Sequence, residues 1–288
     1  MRAVHRKGES LVGVFDSGIG GLTVKGESLV GVFDSGIGGL TVLDACLKKA
    51  PKNIYLYYGD NARAPYGSRP EGEIASFVEE ALTLFRSYGV RAAVLACNTA
   101  SAVCLDKMRK KFDFPIVGME PAVKQAALHC KDALVLATPR TAESERLRAL
   151  IGRFPNCRFT VHPAPKLAGA IEAHFLSGAP IVLEEHLPRT ACDGVVLGCT
   201  HYSYFSREIA FFYDAPVYDG AEGTAARLAE LLILGRRDHR MTTVNLADSV
   251  DYFGKFSNKR VVFLGKSAKL NENLFRLNFC SGKNEKNF

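Results

Sequence analysis

Two cysteines in matching surroundings carry the chemistry that this sequence offers. Cys97 sits in VLACNT, and Cys199, 102 residues later, sits in VLGCTH. Each follows an apolar run and a small residue, and each precedes two polar residues. The pattern reads as a strand running into a helix, where a thiol meets helix N-terminal amides that favour the thiolate and bind anions. A single cysteine in that setting is most simply a small core hydrophobe. Two of them point to a pair of activated thiols beside an anionic ligand. Asp34 and Ser35 open a glycine turn, DSGIGG, after another apolar run; on its own, an acid there is a turn or cap residue. His201 lies two residues after Cys199, and one Cys-x-His without further ligands is a weak metal signal. A shared thiol–imidazole proton system fits the pair better. The glycines of GIGG fall at the wrong spacings for a dinucleotide site and the acid precedes the turn, so they are read as letting backbone approach a small anion.

These residues must be positioned by the elements around them, and the chain alternates strand-like and helix-like segments. VGVFD (Val30–Asp34) and NIYLYYGD (Asn53–Asp60) are apolar runs ending in an acid. Ser68-Arg69-Pro70-Glu71 reads as a capping box. It opens a helix with Ile74, Phe77, Val78, Ala81, Leu82 and Phe85 on one face, closed by Gly89. AAVLACNTA, PIVGME, ALVLATPRT, CRFTVHPA and GVVLGCTHY supply further strands. Continuous apolar strands between amphipathic helices predict an α/β fold with mainly parallel sheets covered by helices. Ligands in such folds gather at the carboxyl ends of the strands, where each of these polar clusters lies.

The segment carrying Asp34 occurs twice. Lys7–Val24 reads KGESLVGVFDSGIGGLTV and Lys25–Val42 repeats it, so 270 of the 288 residues are non-redundant. That length suits two domains. After Val42 the sequence continues as LDACLKKAP, which puts Leu40, Leu43 and Leu47 on one helical stripe ending at Pro51. After Val24 comes Lys25-Gly26-Glu27, which weakens a helix. The second copy is therefore expected in the core, with Asp34 and Ser35 as the working residues and Asp16 and Ser17 as passengers. Residues 1–28 then form a redundant copy and tail.

Composition removes other classes. Apolar residues at 47% and charged residues at 23% argue against disorder and fibres. No apolar run approaches the ~18 residues of a membrane span, and LVGVF is too short for a signal-peptide core, so a cytoplasmic chain is expected. The net charge of +7 is concentrated in Lys255–Phe288, which holds eight Lys/Arg against two Asp/Glu. A solvated basic tail is expected there rather than a nucleic-acid face. The eight cysteines include no CxxC pair and read as reduced thiols, mostly core-filling.

DSGIGGLTV, GDNARAPYG (Gly59–Gly67), ACNTAS (Ala96–Ser101) and LGCTHY (Leu197–Tyr202) together resemble glutamate racemase, of the cofactor-independent aspartate/glutamate racemase superfamily. The resemblance spans about Leu29–Leu232. It implies two pseudo-symmetric α/β domains facing each other across the active site. The first takes residues 29–120 plus about 222–254, the second takes 121–221, and 255–288 is a tail of unknown structure. It further implies Cys97 and Cys199 as catalytic thiols with Asp34 and His201 beside them. Ser35, Pro65, Tyr66, Gly67, Asn98, Thr99 and Thr200 match positions that hold the substrate, and Asp60 and Glu172 match supporting acids. Ala164-Pro165 stands where the family has Cys-Pro before that glutamate, and Ser203 where it usually has proline.

The implied reaction is interconversion of L- and D-glutamate for bacterial peptidoglycan, with neither cofactor nor metal. Without a cofactor to delocalise the carbanion, acid and base must sit on opposite faces of the α-carbon, which two thiols from two half-sites supply. Positioning and electrostatics must carry most of the barrier. The rivals are an aspartate or hydantoin racemase or maleate isomerase of the same superfamily, and a non-catalytic small-anion-binding protein on this fold. The partner expected is glutamate, with no nucleic acid and no membrane; a homodimer is the candidate assembly.

Overall fold

The computed structural model describes residues 11–14, 21–24, 28–234, 243–245, 252–256, 259–265 and 267–280. Strands β1 (Leu11–Val14) and β2 (Gly21–Val24) precede the main body. The first lobe then runs β3 (Leu29–Asp34), α1 (Gly39–Lys49), β4 (Ile54–Gly59), α2 (Glu71–Ser87), β5 (Ala92–Leu95), α3 (Asn98–Lys111) and β6 (Ile116–Gly118). The second lobe follows with α4 (Val123–His129), β7 (Asp132–Ala137), α5 (Pro139–Ala142), α6 (Glu145–Ile151), β8 (Arg158–Pro163), α7 (Leu167–Ser177), β9 (Gly194–Gly198), α8 (Ser206–Tyr213) and β10 (Val217–Tyr218). Helix α9 (Ala221–Leu234) returns to pack on α1. The chain continues through β11 (Thr243–Asn245), β12 (Tyr252–Phe256), β13 (Lys259–Leu264) and α10 (Ala268–Phe275), with a π-helical turn at Arg276–Cys280.

The first-lobe sheet has the order β12-β13-β4-β3-β5-β6 and is parallel except for β12. The second-lobe sheet, β10-β9-β7-β8, is parallel throughout. Each lobe thus repeats one pattern: its first strand lies between its second and third, and its fourth lies outside the third. β5 and β9 are therefore equivalent strands, as are β3 and β7. One apolar core runs through both lobes, from Val30, Val32 and Leu43 to Leu134, Ile171 and Val195. No helix among the described residues is long and apolar enough to cross a membrane.

The second copy of the repeat occupies the core. Its strand, β3, is buried along its whole length between β4 and β5, and Leu40, Leu43 and Leu47 of α1 are buried as the stripe requires. The first copy contributes β1 and β2, which form a separate antiparallel sheet with β11. GLTV is thus a strand at Gly21–Val24 and the start of a helix at Gly39–Val42. Asp16 and Ser17 lie outside the described residues.

Three expectations need correction. The capping box does not form: Pro70 takes the cap position of α2 without a side-chain bond, and Ser68 is exposed. Proline's fixed φ suits the start of a helix, and Glu71 and Glu73 in the first turn favour its positive end. Phe77 of the expected buried stripe is only half-buried, with the Arg63 guanidinium 4.1 Å above its ring. Nor is the segment after residue 254 a solvated tail. β13 lies parallel to β4, Val261–Leu264 are buried, and α10 buries Asn271, Glu272, Leu274 and Phe275. The VVFL run, strand-like in sequence but without an evident partner there, enters the first lobe's sheet between β12 and β4.

Candidate active site

Parallel sheets of this strand order open a crevice between the carboxyl ends of their first and third strands, where the connections diverge to opposite faces. The residues at or just beyond those ends are Asp34, the last residue of β3, with Ser35 after it, Cys97 after β5, Thr138 after β7 and Cys199 after β9. The site is built from both lobes.

Cys97 caps α3. Its Sγ accepts the Ala100 amide at 3.5 Å and lies 3.3 Å from Ser35 Oγ. The helix amide expected to favour the thiolate is present but outweighed. Burial, and then nearby Asp34, push this thiol up to about 12 despite the Ser35 and Ala100 bonds.

Cys199 differs. The Thr200–Phe205 turn after it is 3₁₀, and no backbone amide caps its side chain, which corrects the expectation of symmetric helix amides. Its Sγ instead lies 3.7 Å from His201 Nδ1, and the other ring nitrogen, Nε2, is 2.6 Å from Glu172 Oε1. Burial opposes charge on this imidazole, but Cys199 and Glu172 outweigh it and hold His201 well above its ordinary value. Burial likewise works against the Glu172 carboxylate, yet bonding to His201 and the Ile37 amide keeps it below the usual range.

Asp34 joins the two halves. Its carboxylate accepts the Gly36 amide at 2.9 Å and the Thr200 hydroxyl at 3.2 Å. Burial raises it to about 6 even though His201 pulls it down. The glycine turn gains its purpose here. A Cβ on Gly36 would lie 1.9 Å from Glu172 Oε1 and 2.9 Å from His201 Nε2, and one on Gly38 would lie 2.4 Å from Thr200 Oγ1. The glycines admit side chains of the opposite lobe, a role the sequence reading had given to a small anion.

The remaining expected residues divide. Thr99 is buried in the first turn of α3, its hydroxyl 2.9 Å from that of Thr138 across the lobes. Asn98 is buried with both amide atoms lacking a protein hydrogen-bond partner. Gly67 packs on Thr138 and accepts the Arg140 amide at 3.1 Å. The Tyr66 hydroxyl is directed onto Asp60, whose carboxylate also takes Arg63 Nε at 2.6 Å, and Pro65 is exposed. Asp60 and Tyr66 therefore brace the Asn61–Gly67 loop and face each other. Among the described residues no cluster of three or more His, Cys, Asp or Glu could hold a metal.

Three residues at the site are not among those singled out from the sequence. Thr138 was legible as a strand end. Tyr57 and Tyr204 were not, because their hydroxyls donate to backbone, to Gly36 O at 2.9 Å and Ile37 O at 2.9 Å.

Comparison with known proteins gives the family. The sequence profile of the Asp/Glu/Hydantoin racemase family matches residues 38–228. The chain belongs to that family. The match begins inside the second copy of the repeat and leaves the first copy out. The glutamate racemase of Campylobacter curvus is 35% identical over 287 residues, covering 93% of this chain and 97% of its own length. Among solved structures, Escherichia coli glutamate racemase, in complex with L-glutamate and the activator UDP-MurNAc-Ala, superposes with a TM-score of 0.66. It is 33% identical and covers 77% of this chain and 87% of its own. Bacillus anthracis glutamate racemase isoform RacE1 gives a TM-score of 0.67 at 28% identity, covering 82% of this chain and 96% of its own. The chain is thus an enzyme of the racemase class, with the two-lobed α/β fold of these relatives.

Proposed function

We propose that the protein interconverts L- and D-glutamate by α-proton transfer between Cys97 and Cys199, supplying D-glutamate for peptidoglycan. The observation that carries this reading is the placement of one thiol at each of two equivalent strand ends, in a chain whose relatives are named glutamate racemases. One thiolate removes the α-proton from one face while the opposing thiol delivers a proton to the other. The two cysteines exchange states at each turnover.

The two half-sites surround their thiols differently. Burial and Asp34 keep Cys97 protonated, whereas Cys199 has the charged His201 3.7 Å from its sulfur. By family analogy, Cys199 takes the α-proton of L-glutamate and Cys97 that of D-glutamate. Asp34 and the Glu172–His201 pair act as the charge reservoir of the two thiols. Ser35, Thr99, Thr200 and the unpartnered Asn98 amide are the groups that hold the substrate's carboxylates and ammonium, and the Pro65–Gly67 backbone closes over them.

The test is α-proton exchange in deuterated water with no added cofactor, followed by NMR alongside loss of optical rotation. Deuterium should enter the α-position of both glutamate enantiomers, and Cys97→Ala or Cys199→Ala should each lower racemisation by more than about 1000-fold. Full-rate racemisation by either variant, or exchange into aspartate but not glutamate, overturns the reading.

A further inference from the structure

The Gly36–Ile37 peptide is gripped at both ends. Its carbonyl accepts the Tyr57 hydroxyl at 2.9 Å, and its N–H donates to Glu172 Oε1 at 2.9 Å. The next carbonyl, of Ile37, accepts the Tyr204 hydroxyl at 2.9 Å. A peptide unit is planar, so the Tyr57 phenol that fixes the Gly36 carbonyl also fixes the direction in which the Ile37 N–H meets Glu172, and Tyr204 anchors the adjoining peptide at its carbonyl. Glu172 in turn meets His201, and His201 meets Cys199.

Behind the two phenols lies an unbroken series of aromatic rings from the C-terminal segment. Tyr57 meets Phe263 of β13 edge-on at 5.8 Å between centroids, and Phe263 lies 6.0 Å from Phe275 of α10. Phe275 lies 5.3 Å from Phe279 in the π-helical turn, and Phe279 lies 6.5 Å from Tyr204. Both ends of the series are the tyrosines that hold the glycine turn. Phe263 and Phe275 are fully buried, so these contacts have little room to relax. α10 adds Asn271, whose Nδ2 would lie 2.6 Å from a Cβ on Gly59, beside Gly36 O.

We propose that the C-terminal segment Val261–Phe279 is a positioning element for proton transfer at Cys199. Its phenylalanines set Tyr57 and Tyr204; Tyr57 aims the Gly36–Ile37 peptide at Glu172, and Tyr204 holds the carbonyl that follows it. None of these residues touches the reacting atoms. The inference rests on the racemase reading above and adds to it a remote determinant of rate.

Tyr204→Phe, Phe279→Leu and the double variant test it, with glutamate racemisation followed against pH and folding followed by thermal melting. Tyr204→Phe keeps every ring and removes one hydroxyl, so it remains informative if Phe279→Leu folds poorly. The expected result is a kcat lower by roughly 10- to 100-fold with KM little changed, as for misplacement of a group remote from the chemistry. The pH profile should shift as the His201–Glu172 contact loosens. The double variant should lose less than the product of the two single losses, since part of the Phe279 effect passes through that hydroxyl. Folded variants with wild-type kcat and pH profile, or losses that multiply in the double variant, overturn the inference while leaving the racemase reading intact. Wild-type protein that fails to racemise glutamate overturns the parent reading and this inference together.

Discussion

Glu172 accepts a hydrogen bond from the backbone amide of Ile37 at 2.9 Å, although the two residues stand 135 positions apart and in different lobes. The same oxygen faces His201 Nε2 at 2.6 Å. One carboxylate therefore links the glycine turn of the first lobe to the imidazole beside the second lobe's thiol. Glu172→Gln keeps the size and loses the charge. His201 is held charged by Cys199 and Glu172 against the cost of burial, so its titration should move to lower pH in this variant. The stability that a raised His201 contributes is present below its unfolded value and is lost as pH rises through the folded one. NMR titration of the imidazole checks this, and an unmoved midpoint rejects the linkage.

Asp34 gives a second pH dependence. Its folded value is raised from 3.8 to about 6, chiefly by burial. The folded state therefore holds this proton more tightly than the unfolded chain does. The contribution is full below 3.8 and fades as pH rises through about 6, with a total on the order of 3 kcal/mol. Urea unfolding of wild type and Asp34→Asn at pH 3.5 and 7.5 should show wild type losing ground on the variant as pH rises. A difference independent of pH counts against it.

Gly36→Ala places a Cβ 1.9 Å from Glu172 Oε1, so either the turn or the acid must move. Activity should fall by about 100-fold or more, as for a 1 Å displacement near a catalytic constellation. Gly169→Ala in α7 is the control, because nothing lies within 4 Å of its added Cβ. It should keep full activity and gain up to about 1 kcal/mol from helix propensity. Steady-state kinetics and melting temperatures of both variants decide the matter.

The duplicated segment separates the two aspartates. Asp34→Ala should abolish racemisation, Asp16→Ala should leave it intact, and deletion of Lys7–Val24 should retain activity. Loss of activity in Asp16→Ala or in the deletion would show that the first copy has a working role.

Truncation after Asn258 removes β13, which lies between β12 and β4, together with the buried Phe275 of α10. It also bares the edge of β4, a site for pairing with other chains. The truncated protein should be insoluble or fail to show a cooperative melt. A soluble, active product would reject the placement of β13.

The strand ends and the paired cysteines were legible because they depend on short apolar runs and adjacent motifs. Cys97, Cys199 and Asp34 needed only their neighbours in sequence. The placement of β13 was not legible: its partner, β4, precedes it by about 200 residues, and non-local pairing leaves no local signature. Tyr57 and Tyr204 escaped for another reason, since a backbone carbonyl partner has no sequence identity. Ser68 failed as a cap because Pro70 competed for the same turn, a choice local enough to have been read.

The two copies of the repeat also form an internally controlled exchange experiment. Proteolysis under acid quench, giving peptides that run past Val24 or Val42, would separate the copies by mass because Lys25 follows one and Leu43 the other. Their intrinsic amide exchange rates over LVGVF are matched by identical neighbours. Any difference in protection then reports only what surrounds the segment, a buried central strand in one case and a small three-stranded sheet in the other. Within one chain, the same letters would measure how much of a strand's persistence belongs to its company.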